Sequence, residues 1–254
     1  MYRVRRRIQQ SNVLVASESH RAIETAFASI IHHRRSLEAY MQTHPMFQWA
    51  LDPVVVDIDA PRVARLAAGA TEIAGVGPMA AIPGALAELA LEAMLATGSR
   101  TNIIENGGEI AAASTAPVKI GIYAGRSVLS GRTGFLLSPL DFPVGIATSS
   151  TTVSHALNFG QTDAAVVVAN TASMADAVAK AASNAVRGDD FEASVQSGLE
   201  TVEKIGHVRG ALIIRDRFIG IVGKLPKLLE MDGNADDLLA AGMHNLPRPN
   251  VTIL

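Results

Sequence analysis

The chain has 254 residues, 48% of them hydrophobic, with 22 Lys and Arg against 24 Asp and Glu for a net charge of −2. Hydrophobic content on this scale supports a buried core and excludes intrinsic disorder, while near-neutral charge offers no global attraction for nucleic acid or an anionic membrane. The absence of cysteine excludes disulfides, thiolate nucleophiles and thiolate-bound metals, and a chain without them is expected in the cytoplasm.

The first predicted element is a strand, in which Tyr2, Val4, Arg6 and Ile8 alternate with Arg3, Arg5 and Arg7, giving one basic, solvated face. This start has the charge of a signal peptide but not its apolar run, because Val13 to Ala16 meets Ser17, Glu18, Ser19 and His20 at once. Apolar residues then recur at helical spacing from Glu18 to Met41, through Ile23, Phe27, Ile30, Ile31 and Leu37, with Ser17 or Ser19 as the cap. His20, His32, His33 and His44 on or beside this helix form no convergent i, i+4 pair and are expected at the surface rather than on a metal. Asp52-Pro53 and Ala60-Pro61 bracket an extended run at Val54 to Val56, and Arg62 to Ala74 reads as a second helix. Gly75-Val76-Gly77-Pro78 then leads into an Ala/Leu-rich helix from Met79 to about Ala96 with Pro83 in its first turn. Pro83, Glu88 and Glu92 interrupt that stretch short of the ~20 apolar residues a membrane span needs.

After Gly98 the pattern turns to strands at Asn102 to Glu105, Glu109 to Ala113, Val118 to Tyr123 and Thr133 to Leu137, which the Gly-containing turns suggest form one antiparallel meander. The second half offers a strand at Asp163 to Ala169, helices at Ser173 to Val186 and Asp190 to Ile205, and a hairpin from Ala211 to Gly223. Pro78-Met79-Ala80-Ala81 and Ser173-Met174-Ala175-Asp176 open similar helices. An internal duplication would leave such an echo, and alanine-rich composition produces much of it too. Strand runs between clustered helices predict an α+β fold, mainly antiparallel sheet packed against helices. Residues 1–231 read as one domain with two similar halves, and 232–254, with its Gly233-Asn234 and two late prolines, as an irregular tail.

Polar groups stand out against this apolar background. Asn106-Gly107-Gly108-Glu109 between two strands is a hairpin signal, and its paired glycines also let a backbone approach a ligand. Thr148-Ser149-Ser150 begins a run of hydroxyls suited to a phosphate or a ring carbonyl, with no Gly-x-Ser-x-Gly elbow to make a hydrolase. His155 is either a hydrogen-bonded structural residue or a general base near neutral pH. Asp176, four residues before Lys180, forms either an i, i+4 ion pair or a ligand for a hard cation such as Mg²⁺.

Three of these segments carry a resemblance. Glu105-Asn106-Gly107-Gly108-Glu109-Ile110 is similar to Asn-x-Gly-Gly-Asp, Ala147-Thr148-Ser149-Ser150 to Ala-Thr-Ser-Gly, and Ala175-Asp176-Ala177-Val178-Ala179 to Ala-Asp-Ala-Leu-Ala-Thr, in the order found in the ApbE-like superfamily. The chain resembles in particular the small branch related to the FAD:protein FMN transferases, over Gly75 to Gly223. The resemblance implies a T-fold-like architecture with duplicated halves and FAD as ligand. It also implies Mg²⁺-assisted transfer of FMN to a protein hydroxyl with release of AMP. By motif, Asp176 would hold the metal, Thr148 and Ser149 would line the flavin pocket, and Asn106, Gly107 and Gly108 would shape its wall, with Glu109 and Ser150 beside them. His155 matches the family histidine in order but lacks the Asp-Pro-x-Thr-Gly continuation, Ser150 replaces a glycine, and Lys180 replaces the threonine that assists the metal.

The expected function is therefore flavin or nucleotide handling, with His155, Asp176 and Lys180 at the chemistry and a protein as acceptor. The alternative is a small-ligand binding protein in which Asp176 and Lys180 pair in place of a metal site. Short duplicated sheets complete their cores by association, which predicts a homodimer.

Overall fold

The computed structural model describes residues 1–125, 127–151 and 158–231, and the backbone of 251–253. Its centre is an eight-stranded antiparallel sheet in the order β1 (Tyr2–Ile8), β2 (Ser11–Ser17), β3 (Asn102–Asn106), β4 (Glu109–Ala113), β7 (Val144–Ser149), β8 (Ala164–Ala169), β9 (Gly210–Arg215), β10 (Phe218–Gly223). A second sheet has the order β11 (Lys227–Glu230), β6 (Thr133–Leu137), β5 (Val118–Gly121), β12 (Val251–Ile253).

Six helices are described: α1 (His20–Thr43), α2 (Pro45–Trp49), α3 (Arg62–Ala74), α4 (Ile82–Leu95), α5 (Ala172–Ala185) and α6 (Phe191–Ile205). They pack on the face of the large sheet opposite the small one, so the large sheet is covered on both sides. In β8, Ala165, Val167 and Ala169 join the core shared with the helices, while Ala164, Val166 and Val168 join the core shared with β5 and β6. This is why β8 throughout, and β9 up to its terminal Arg215, are apolar rather than alternating, and why every residue of both is buried.

Helix boundaries follow local chemistry. Ser19 caps α1, accepting from the Ala22 N–H at 3.3 Å; α3 ends at Gly75 in the left-handed conformation; Asp190 caps α6 through the Ala193 N–H. By length and composition Pro78–Leu95 could cross a bilayer, but here it is a core helix packed against α1, α3, α5, β3 and β4.

The single meander expected between Asn102 and Leu137 is not what forms. β3 and β4 pair with each other, but β4 goes on to pair with β7, while β5 and β6 belong to the second sheet. Strand periodicity specifies which faces are apolar, not which partner lies alongside, and only long-range packing decides that. The expected irregular tail falls largely outside the described residues, and at its end Val251–Ile253 runs parallel to β5.

Candidate functional site

The β3–β4 turn is made by Gly107 and Gly108, at φ of 75° and 116°, a backbone open to glycine at no steric cost. Asn106 and Glu109 flank it as a cross-strand pair. Both lie on the sheet face of Ile104 and Ala111, the face packed on helices. The Asn106 side chain donates to the Pro83 carbonyl at 3.1 Å, fastening the turn to the start of α4. There Gly84 donates its N–H to Asp176 Oδ2 at 2.9 Å, so a carboxylate of α5 takes one of the donors left unsatisfied at the α4 N-terminus. A Cβ on Gly84 would overlap the Ala172 carbonyl and lie 2.9 Å from Asp176 Cβ. One turn along α4, Glu88 Oε2 accepts from the Ser173 N–H and hydroxyl at 3.2 and 2.6 Å. The two helices thus hold each other at their N-terminal ends.

These elements enclose a cavity of about 540 Å³. Among the residues expected at a site, Asn106, Gly107, Glu109, Thr148, Ser149, Asp176 and Lys180 all line it. Gly108 completes the turn beside it, where a Cβ would lie 3.6 Å from the Thr148 carbonyl. Ser150 is buried just past the end of β7 and is not part of the lining. Ser149 accepts from Asn158 Nδ2 at 3.2 Å, and the same amide donates to Ser183 of α5 at 2.8 Å, which ties the end of β7 to that helix. His155 lies outside the described residues.

The opposite wall was not anticipated from sequence. It comes from the β1–β2 turn, at Gln9 to Asn12, and from α1, at Arg34, Leu37, Glu38 and Met41. Arg34 donates to the oxygens of Ser11, Gln9 and Gln10 at 2.9, 2.7 and 2.7 Å and approaches Glu38 at 3.6 Å. The only local sign was the polar Gln9-Gln10-Ser11-Asn12 stretch, which reads equally well as an ordinary turn. Two buried polar atoms of lining residues, Arg34 Nε and Thr148 Oγ1, have no hydrogen-bond partner in the protein.

Electrostatically the floor of the cavity is a cluster of Glu109, Asp176 and Lys180. Burial, and next the Asp176 charge, hold Glu109 well above the usual carboxylate range, against the pull of its own N–H and Lys180. Burial raises Asp176 to about 7, opposed by the Gly84 N–H and by Lys180. Burial lowers Lys180, and the two carboxylates resist that change. Low dielectric disfavours each charge alone; Lys180 and the carboxylates sustain one another, while the Asp176 charge opposes that of Glu109. Such a cluster can present an ammonium to an anion and hold or accept a proton near neutral pH.

The donor set does not fit a metal centre of the kind the motif implies. Among the described residues no three Asp, Glu or His side chains converge to hold an ion. Asp176 Oδ2 is already taken by a backbone N–H, and an ammonium faces both carboxylates. A flavin nucleotide fits the lining better. Leu37, Met41, Ile82 and Leu86 supply apolar surface for a planar ring, while Asn106, Arg34 and Lys180 supply donors for carbonyl and phosphate oxygens.

A family model described as AbpE bacteria matches residues 2–202. A UPF0280 protein of Methanothermobacter thermautotrophicus is 38% identical over 81% of this chain and 80% of its own length. One from Methanocaldococcus jannaschii is 37% identical over 89% and 92%. In fold the chain resembles the flavinyl transferase ApbE of Pseudomonas stutzeri in its apo form, with a TM-score of 0.55 at 12% identity, over 87% of this chain and 93% of that one. It also resembles the ApbE protein of Thermotoga maritima, with a TM-score of 0.53 at 14% identity, over 86% and 96%.

Proposed function

The chain belongs to the family described as AbpE bacteria, and on that premise we propose that its cleft binds FAD and serves transfer of the FMN moiety to a hydroxyl of a protein acceptor. The observation that carries this reading is the gathering of the Asn106-Gly107 turn, Thr148-Ser149 and the Asp176/Lys180 pair, from separate parts of the chain, around one cavity of about 540 Å³. A flavinyl transferase among its fold relatives adds support.

In this reaction the acceptor oxygen attacks the phosphorus of the FMN half of the diphosphate. A new P–O bond forms, the bond to the bridging oxygen breaks, and AMP departs with the electron pair. The hydroxyl proton passes to a carboxylate, for which Asp176 is suited because burial brings it to about 7. Lys180 faces the negative charge that develops on the phosphate oxygens, and the turn at Gly107 and Gly108 lets the ligand approach without a side chain in the way. Positioning and charge neutralisation supply most of the rate in phosphoryl transfer.

The test is a titration of the purified protein with FAD, following flavin fluorescence, with a hydroxyl-bearing acceptor protein present and AMP assayed. Saturable binding with AMP release and flavin fixed to the acceptor is the expected result. Binding without AMP would favour the second reading, a flavin-binding protein in which Lys180 neutralises Asp176 and Glu109 and no transfer occurs. No binding of FAD would overturn both.

A further inference from the structure

We propose that Lys180 is the built-in cation of this cleft: its ammonium receives a phosphate group of the ligand where a divalent metal would otherwise bridge, so the site binds phosphate esters without metal. This rests on the reading above only in taking the ligand to carry a phosphate.

The geometry argues for it in three steps. Asp176 and Glu109 are both buried at the cavity floor, one from α5 and one from β4, and buried carboxylates are neutralised by a proton or by a countercharge. Lys180, one turn after Asp176 on the same helix, is half-buried and lines the same cavity, where both carboxylates favour its charge. A second positive contribution comes from the α4 N-terminus through the Gly84 N–H. Mg²⁺ needs near-octahedral oxygen ligands and keeps several waters, whereas here one Asp176 oxygen is spoken for and an ammonium occupies the carboxylates' field.

The second step concerns what the cluster offers to a ligand. An ammonium has three donors, enough to serve a carboxylate and a phosphate oxygen together. Other charged groups in reach are Arg34 and Glu38 on α1, Glu88 on α4, which is engaged with Ser173, and Glu105, which acts on Glu109 through the sheet.

Third, the lining contains a donor that lacks an acceptor. Arg34 Nε is buried without a partner, and buried donors are rarely left so. Arg34 is held in place by three neutral oxygens and lies 3.6 Å from Glu38, which offsets part of its charge. A phosphate-bearing ligand in the cleft would meet this cation of α1 as well as Lys180.

The experiment compares wild type, Asp176→Asn, Lys180→Thr, Lys180→Arg and Lys180→Thr with Asp176→Asn, each checked for folding by thermal melting. ADP and FAD binding are measured by calorimetry in EDTA and in Mg²⁺, and Mn²⁺ alone is titrated by electron paramagnetic resonance. Wild type is expected to bind ADP equally in EDTA and Mg²⁺ and to show no stoichiometric Mn²⁺ site. Lys180→Thr should lose ADP affinity in EDTA by at least about tenfold and gain a Mn²⁺ site, which Asp176→Asn then removes. Lys180→Arg, which keeps the charge, should stay within a few-fold of wild type. ADP binding that requires Mg²⁺, a Mn²⁺ site in wild type lost with Asp176→Asn, or a Lys180→Thr protein with unchanged ADP affinity would each overturn the proposal. FAD binding only with Mg²⁺ would sink the role of Lys180 and leave the flavin reading standing. ADP binding in EDTA without FAD binding would do the reverse, and binding of neither would remove both.

Discussion

Glu105 sits next to Asn106, yet the alternation of the strand sends its side chain to the other face of the sheet, with Ile103 and Ile110. It is 8% exposed. Its nearest countercharge is Arg5 on β1, 3.5 Å from Oε2. That is an ion pair at a distance too long for a good hydrogen bond, and Oε2 makes none. Burial therefore outweighs Arg5 and raises the carboxyl from 4.5 to about 7. Because the folded protein holds this proton more tightly than the unfolded chain, the contribution to stability is complete below about pH 4.5, declines as pH rises through 7, and is then constant. The shift corresponds to on the order of 3 kcal/mol. Glu105→Gln should abolish that decline, so the stability difference, variant minus wild type, grows by that order between pH 4.5 and 8. Urea unfolding at several pH values measures it, and a difference independent of pH would show that Glu105 keeps its charge on folding.

At the scale of elements, the site depends on how closely α4 crosses α5. Gly84 is inside α4, where helix propensity alone predicts that alanine stabilises by up to ~1 kcal/mol. The crossing predicts the opposite sign. A Cβ there meets the Ala172 carbonyl and Asp176 Cβ, and overpacking of a rigid contact costs about 1 to 3 kcal/mol. Gly84→Ala is expected to be net destabilising and to weaken ADP binding, because it pushes the N–H donor away from Asp176. Urea melts and calorimetry check both, and a stabilised variant with normal affinity would mean the helices separate freely.

Helices of this kind were largely legible in the sequence. α3 was expected at Arg62 to Ala74 and is found there, while α1 was expected at 18–41 and runs from His20 to Thr43, since caps and periodicity are local signals. The Gly-Gly turn was legible for the same reason. Other features depend on contacts between residues far apart in sequence. The division of β3 to β6 between two sheets is one, and the wall built by Arg34 and the β1–β2 turn is another. No local pattern marked Arg34 as different from the arginines of β1. The Lys180 substitution was visible, but its meaning depends on Glu109, which only the β4–α5 packing brings to the same floor.

The whole molecule is three layers, with helices and cleft on one face of the large sheet and the small sheet on the other. Phe135 of β6 is fully buried in the second interface, beside Ile120 and Leu137 and against Ile146 and Val166 of the large sheet. Truncating a phenylalanine in such a place costs roughly 3 to 5 kcal/mol through lost transfer energy and the cavity left behind. That is a large part of the ~5 to 15 kcal/mol by which a domain is usually stable. Phe135→Ala should therefore lower the urea midpoint strongly. The cleft is formed by the helices, the β1–β2 and β3–β4 turns and the end of β7, so the affinity of the molecules that remain folded should match wild type. The sheet between them is paired along its whole width and packed at near-crystalline density, which resists bending more than it transmits a local void. Calorimetric titration with ADP under conditions where the variant is fully folded separates the two effects. A loss of affinity in step with stability would mean that the small sheet sets the shape of the cleft through the strands they share, and the layers would then have to be treated as one cooperative unit.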